Sequence, residues 1–374
     1  MKNNEHVHIP LFKIAKRNEV TLKQNILFRG VMIFAAIIVA VILSLLVIKK
    51  PIGSIFKAFF EGVFLSPDKM LLDAAMLLGF GIAVVPAFRM KYWNMGANGQ
   101  VYVGALVCVV LLFYMGDFGA RSAFNNFTLI FIAFCASIVA SVIWAVIPAV
   151  FKAFFDTNET LFTLMMNYIA IALLNYVNYV MAKGTKESIG VVNAKTQVGW
   201  LPELFGNEYI LPILVVIGLT VFVYFYMSKT KHGYEAIVCG DSMNTARYVG
   251  MNTKKITIRT LVLSGVITGI LGFLYACGIG HCVSEATGGV GFTAVLLAWL
   301  SNFNPIIMAV MSLFLSILTM GTSKVSSKFR LGSNNLSNVI IGLIFFAILI
   351  SEFFIRYTIK LNSRKRNKKE VSEW

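Results

Sequence analysis

Charge is what this sequence has least of. Only 13% of its 374 residues are Asp, Glu, Lys or Arg, where soluble globular domains use about 25%. Of these, 33 are basic and 17 acidic, and 58% of the chain is hydrophobic. That balance excludes an ordinary soluble domain. The five cysteines are scattered, Cys108 and Cys135 inside apolar runs and Cys239 in a basic loop, which argues against a disulfide framework. Carboxylates are almost missing from the apolar runs: Asp73 lies near the start of one and Glu159 just before another. A carrier coupled to protons or sodium needs such groups in its spans, so a secondary carrier or channel is the weaker transport class here. Catalytic signatures are missing too. There is no Gly-Lys dipeptide, hence no GxxxxGK[ST] phosphate loop, and no GxSxG or HExxH. His281, Cys282 and Glu285 cluster after one run but lack a second ligand group at zinc spacing, so no metal is expected. They are also too few for a lipid-modifying active site.

What the chain does have is apolar length. A helix needs about 20 largely apolar residues to cross a bilayer, and runs of that kind recur near 30–48, 70–88, 101–115, 127–151, 160–181, 208–228, 259–278, 290–300, 304–320 and 336–355. The fold class expected is all-α: a polytopic membrane protein of about ten helices, the eighth short or broken. Broken backbone is tolerated at membrane depth only where protein or a water-filled cavity covers it. The expected organisation is a basic cytoplasmic segment over 1–29, a transmembrane domain over 30–356 with an inside loop at 229–258, and a basic cytoplasmic tail over 357–374.

The formal charge of +16 would suggest nucleic acid in a soluble protein. Here the cations flank apolar spans, so topology explains them and no nucleic-acid partner is expected. With both termini inside, the main basic clusters fall at 2–29, Arg89 with Lys91, 229–259 and 356–369. Lys49, Lys50, Lys57, Lys324, Lys328 and Arg330 run against the rule. Residues 49–69 mix apolar residues with Lys57 and Glu61, as a short interfacial helix does. In the inside loop, Asp241 or Ser242 can cap a helix, Asn244 to Tyr248 can form one or two turns, and Gly250 can end them. Gly265, Gly269 and Gly272 repeat at three and four residues, which predicts close helix packing. Asn167, Asn175 and Asn178 share a broad face of the fifth span, suited to hydrogen-bonding a neighbouring helix or to lining a cavity.

Four stretches together resemble the membrane permease subunits of ABC importers, specifically the nucleoside and simple-sugar branch. NMGANGQ, Asn94 to Gln100, is similar to that family's NIGAEGQ, and NETLFTLMMNYIA, Asn158 to Ala170, to its NEVxxTLMxNYIA. GDSMNTARYVGMN, Gly240 to Asn252, with LSGVITGILG after it, resembles the cytoplasmic GxNxxAARYxGIN plus LSGxxAGLAG pattern. The segment from Gly288 to Gly321 is similar to GxGFxxIAVALLGxxxPxG. The resemblance runs through most of residues 70–355. It departs at Asn98, where the family has Glu, at Leu297-Ala298-Trp299-Leu300, and after Asn304-Pro305.

This resemblance implies a multi-pass permease of the plasma membrane, not itself an enzyme. It implies pairing with a homologous permease, an ATPase subunit that holds ATP and Mg, and an extracellular substrate-binding lipoprotein, all within membrane lipid. It implies that Gly240, Asp241, Asn244, Ala246, Arg247 and Gly250 form the element that couples to the ATPase. Asn94, Asn98, Gln100, Asn167 and Trp299 are the expected substrate path, since amides pair with ribose hydroxyls or base edges and aromatics stack on bases. A nucleoside is the first substrate implied and a monosaccharide the second.

Overall fold

The computed structural model describes residues 12–16, 31, 32, 34, 35, 37–39, 41, 42, 45, 48–183, 190–283, 290–330 and 335–361. The described residues from 31 to 48 are helical, so the first span is seen only in part. The helices that follow are α1 (Ile52–Leu65), α2 (Pro67–Arg89), α3 (Ala97–Tyr114), the single turn α4 (Gly116–Gly119), α5 (Ala123–Phe155), α6 (Glu159–Met181) and α7 (Ile210–Lys229). Next come α8 (Lys231–Asp241), α9 (Met243–Tyr248), α10 (Thr253–Leu274), a π-helical turn Tyr275–Ile279, α11 (Val290–Leu300), α12 (Pro305–Lys328) and α13 (Asn335–Arg356). Among the described residues, eight helices are long and apolar enough to cross a membrane. With the first span and the short α11 they make the ten expected. At 1.5 Å per residue the eleven residues of α11 reach only about 16 Å, half a bilayer core.

The chain forms two compact units, residues 63–320 and residues 1–62 with 321–374. In the first, α2, α3 and α10 are the inner helices, with 89%, 72% and 72% of their apolar windows buried, against 22% for α5 and α7. The difference follows from small residues. A Cβ on Gly269 would sit 2.6 Å from the Ile138 Cα, and one on Gly272 would sit 2.7 Å from the Val101 carbonyl oxygen. These glycines let the α10 backbone lie directly against α5 and α3. Closely apposed backbones leave no room for water, so serines serve as donors: Ser137 Oγ–H donates to the Gly269 carbonyl (2.8 Å) and Ser141 Oγ–H to the Gln100 carbonyl (2.8 Å). All five cysteines are free.

In the other unit, Ile48, Ile55, Ala58 and Val325 form a buried cluster. The helical architecture carries one addition. Strand β1 (Phe12–Lys16) pairs antiparallel with β2 (Tyr357–Leu361), Phe12 opposite Leu361, so the basic segment and the tail meet in a ladder rather than leaving as two separate charged ends. Two further differences concern extent. Helix α5 runs 33 residues, longer than the apolar run that announced it, and the loop over 229–258 holds a second helix, α8, that its polar composition concealed.

Overpacking a close backbone contact costs about 1–3 kcal/mol. Gly269→Ala is therefore expected to lower the thermal midpoint of the purified full-length chain by several degrees. Gly218→Ala on α7, where a Cβ meets nothing within 4 Å, should not lower it; fluorescence-detected size exclusion after heating measures both.

Candidate functional site

Helix α2 ends at Arg89, and Lys91 takes a left-handed φ of 55°, which turns the chain back toward α3 through Tyr92 to Gly96. This break exposes backbone polar groups, and side-chain amides meet them. The buried Asn94 carboxamide oxygen accepts from the Gly96 N–H at 3.0 Å, while its Nδ2 donates to Ser264 Oγ of α10 at 3.2 Å. Asn167 of α6 uses both ends: Nδ2 donates to the Met95 carbonyl (2.6 Å), and Oδ1 accepts from the Gly99 N–H (2.8 Å). The Met95 N–H donates to Thr163 Oγ1 at 3.1 Å. A Cβ at Gly99 would lie 2.9 Å from Asn167 Oδ1, so only glycine admits this approach. Gln100 faces α10, its Oε1 lying 3.2 Å from the Thr268 hydroxyl.

The structure thus brings Asn94, Gln100 and Asn167 into one buried clamp joining the α2–α3 turn to α6 and α10. Asn98 stands apart. It is buried, its Oδ1 has no partner among the described residues, and it abuts Gly291 in the first turn of α11. Trp299 is separate again, eight residues further along α11 and 43% exposed, on the same open face as Phe292, while Ala294, Leu297 and Ala298 are buried. On α6, Asn178 Nδ2 also donates to a backbone carbonyl, that of Val283 (2.8 Å). In the loop beyond the π-helical turn, His281 stacks on Trp200, ring centroids 3.7 Å apart and 6° from parallel, and burial holds its imidazole below the ordinary histidine range. Glu285, its expected neighbour, lies outside the described residues.

The segment over 229–258 is built with equal economy. Thr230 caps α8 by accepting from the Gly233 N–H (3.2 Å). A Cβ on Gly240 would collide with the Arg89 carbonyl oxygen and sit 3.0 Å from the Met90 Cα, so the glycine lets α8 lie directly against the end of α2. Arg259 Nη2 donates to Glu235 Oε2 at 2.7 Å, tying α8 to α10 and holding that carboxyl below the usual carboxylate range. Ser242 caps α9 by accepting from the Thr245 N–H (3.2 Å). At the other end the Met251 N–H returns to the Ala246 carbonyl (2.9 Å) and Gly250 adopts φ 84°. Ala246 and Gly240 are buried and serve packing; Asp241, Asn244, Arg247 and Gly250 face outward. With them stand two residues that sequence reasoning passed over, Tyr248 at 93% exposed and Val249 at 65%. An aromatic and a β-branched residue at the end of a six-residue polar helix was the available signal. Nearby, Lys152 pairs with Asp156 (2.9 Å) and Glu159 (3.0 Å) in the α5–α6 turn, and the Lys254 ammonium lies 4.6 Å from the Phe154 ring centre.

The family described as "Branched-chain amino acid transport system / permease component" matches residues 66–349. The chain belongs to this permease family. It is 26% identical over 310 residues to the glucose ABC transporter permease protein of Haloferax volcanii, covering 80% of each chain. To the guanosine ABC transporter permease protein NupP of Bacillus subtilis it is 27% identical over 293 residues, covering 77% of this permease and 82% of NupP. The nucleoside ABC transporter permease protein NupB of Lactococcus lactis is 23% identical over 246 residues, covering 63% and 66%. No solved structure matches this permease significantly.

Removing an N-cap hydroxyl costs about 1 kcal/mol, and leaving buried amides unsatisfied costs about 1–3 kcal/mol. Asn167→Ala is therefore expected to lower the thermal midpoint more than Ser242→Ala, and Tyr248→Ala, which removes no intramolecular packing, not at all. Parallel melts of the three purified variants check the order.

Proposed function

We propose that this permease is one of two homologous membrane subunits of an ATP-driven importer, and that its solute is a nucleoside. The observation that carries the substrate class is the pair of relatives named for guanosine and for nucleosides. The relative named for glucose supports a monosaccharide as the second reading. ATP and Mg belong to a separate ATPase subunit, and an extracellular binding lipoprotein delivers the solute. The permease sits in the plasma membrane with both termini cytoplasmic, which places α8 and α9 on the ATPase side.

In this reading the ATPase grips α9 through Asp241, Asn244, Arg247, Tyr248 and Val249. Gly240 and Ala246 hold that element against the membrane helices. A push on α9 passes to α10 over a four-residue gap, stiffened by the Arg247 Nε–H donated to Thr253 Oγ1 at 3.4 Å and by the Asn252 cap on the Lys255 N–H at 3.0 Å. From α10 it passes through Ser264 to Asn94, and from the turn through Asn167 to α6. The two permeases then rock about a shared path. Asn94, Gln100 and Asn167 act in the wall of that path, and Asn98 with Trp299 supplies hydrogen-bonding capacity and a ring that the fold leaves unused. Uncharged amides and aromatics suit a neutral, polar, flat solute.

Uptake into proteoliposomes containing the partner permease and ATPase tests this. Guanosine, uridine and glucose should separate by at least tenfold in favour of a nucleoside, and only with ATP inside. Arg247→Glu with Tyr248→Ala should cut uptake at least tenfold while leaving the thermal midpoint unchanged. Undiminished uptake would remove α9 from the coupling role, and uptake driven by an ion gradient alone would remove the ATPase.

A further inference from the structure

Six cations run against the charge bias of the loops, and the structure gathers them. Lys49, Lys50 and Lys57 belong to the start of the chain, Lys324, Lys328 and Arg330 to a stretch far along it; Glu61 and Lys328, 267 positions apart, form an ion pair at 2.6 Å. The packing beneath explains the meeting. Ile48, Ile55 and Ala58 share a buried cluster with Val325, and Leu45, Phe59 and Phe329 close over it. Gly321 has no side chain where the Phe59 ring lies. Lys57 and Lys324 come close enough to add to the effect of Lys328, whose hydrogen bond is the main cause of Glu61's lowered carboxyl pKa. Within 45–62 and 321–330 the sequence carries these six cations and one carboxylate, Glu61, a balance of +5. All six are exposed except Lys324, which is half-buried.

The same surface has an apolar edge. Helix α1 has 14 residues, about 21 Å, too short to span a bilayer. Ile55 and Ala58 turn inward, while Ile52, Phe56 and Phe60 recur every four residues on the outer face, 44–52% exposed. A helix with phenylalanines on one side and lysines flanking them lies in the membrane interface, its rings at the acyl boundary and its ammoniums at headgroup level. The ion pair with Glu61 accounts for one of the six cations. The other five oppose the topological bias and need another reason to be there.

We infer that the surface formed by Lys49, Lys50, Lys57, Lys324, Lys328 and Arg330 beside the Ile52–Phe56–Phe60 edge of α1 is a binding site for the phosphate headgroup of an anionic phospholipid. Charge complementarity selects the phosphodiester, and the phenylalanine edge selects a headgroup that carries acyl chains over a soluble phosphate or an acidic protein surface. The site is independent of the transported solute.

The test uses the full-length permease in neutral detergent, titrated with dioleoylphosphatidylglycerol, dioleoylphosphatidylcholine or glycerol 3-phosphate, with binding read by native mass spectrometry and by the shift in thermal midpoint. Phosphatidylglycerol should bind at least tenfold more tightly than phosphatidylcholine, and glycerol 3-phosphate should not compete at equal concentration. Each lysine near an anionic surface adds substantially to attraction, so Lys57→Gln with Lys324→Gln should weaken phosphatidylglycerol binding about tenfold, and the two arginine replacements should restore it. Glu61→Gln should strengthen binding two- to threefold, a sign that misfolding cannot produce. Equal binding of the two lipids, an unaffected double-glutamine variant, or competition by glycerol 3-phosphate would overturn the inference, and preferential capture of acidic soluble protein at these lysines would assign the surface to a protein partner instead.

Discussion

A backbone N–H or C=O buried away from water has to be satisfied from within the chain. The α2–α3 turn, just past Arg89 and Lys91, is a break whose Asn94 and Gly96 are buried, and side chains of α6 and α10 help to satisfy it. Asn94 and Asn167 meet its exposed groups. Because Asn94 also reaches α10 and Asn167 belongs to α6, closing the turn fixes the relative positions of three helices. Glycine suits positions 96 and 99, where a Cβ would sit 3.1 Å from the Thr163 Cβ and 2.9 Å from Asn167 Oδ1 respectively.

The same economy links α8 and α9 to the inner helices. Helix α10 carries three kinds of contact along its length: Arg259 to α8, Ser264 to the turn, and Gly265 with Gly269 to the α5 backbone. It is therefore a rigid rod between the outward-facing α9 and the amide clamp. A rod with defined contacts at both ends is what a permease needs if force applied outside the bilayer is to move a path inside it. Of the residues expected along the path, Asn94 and Asn167 are engaged in closing the turn, whereas among the described residues Asn98 Oδ1 has no hydrogen-bond partner and Trp299 is 43% exposed.

Much of this was legible in the residues. Apolar runs located the spans because length and hydropathy are local properties, and the short α11 announced itself in the same way. Asp241 or Ser242, with Gly250, marked the ends of α9 because caps act within one turn, and Ser242 is the one that caps; the glycines of α10 signalled close packing because their period is local too. What the residues did not disclose were the pairings made at a distance. Asn167 and Ser264 became partners of one turn only through tertiary placement. Helix α8 was hidden because it is short and polar overall, its buried positions being the small residues Gly233, Ala236, Cys239 and Gly240. The ladder of Phe12–Lys16 with Tyr357–Leu361 joins opposite ends of the chain, and the two lysine groups converge through a core of residues nearly as far apart. Tyr248 was overlooked because exposure of an aromatic is decided by what does not pack on it.

The central claim is that the α2–α3 turn is held shut by amides from the neighbouring helices. Hydrogen–deuterium exchange of the intact permease in detergent, resolved at the Met95, Gly96 and Gly99 amides, measures this directly. Slow exchange at all three, comparable to the middle of α10, is the predicted result. Exchange at the rate of an open loop would contradict the account.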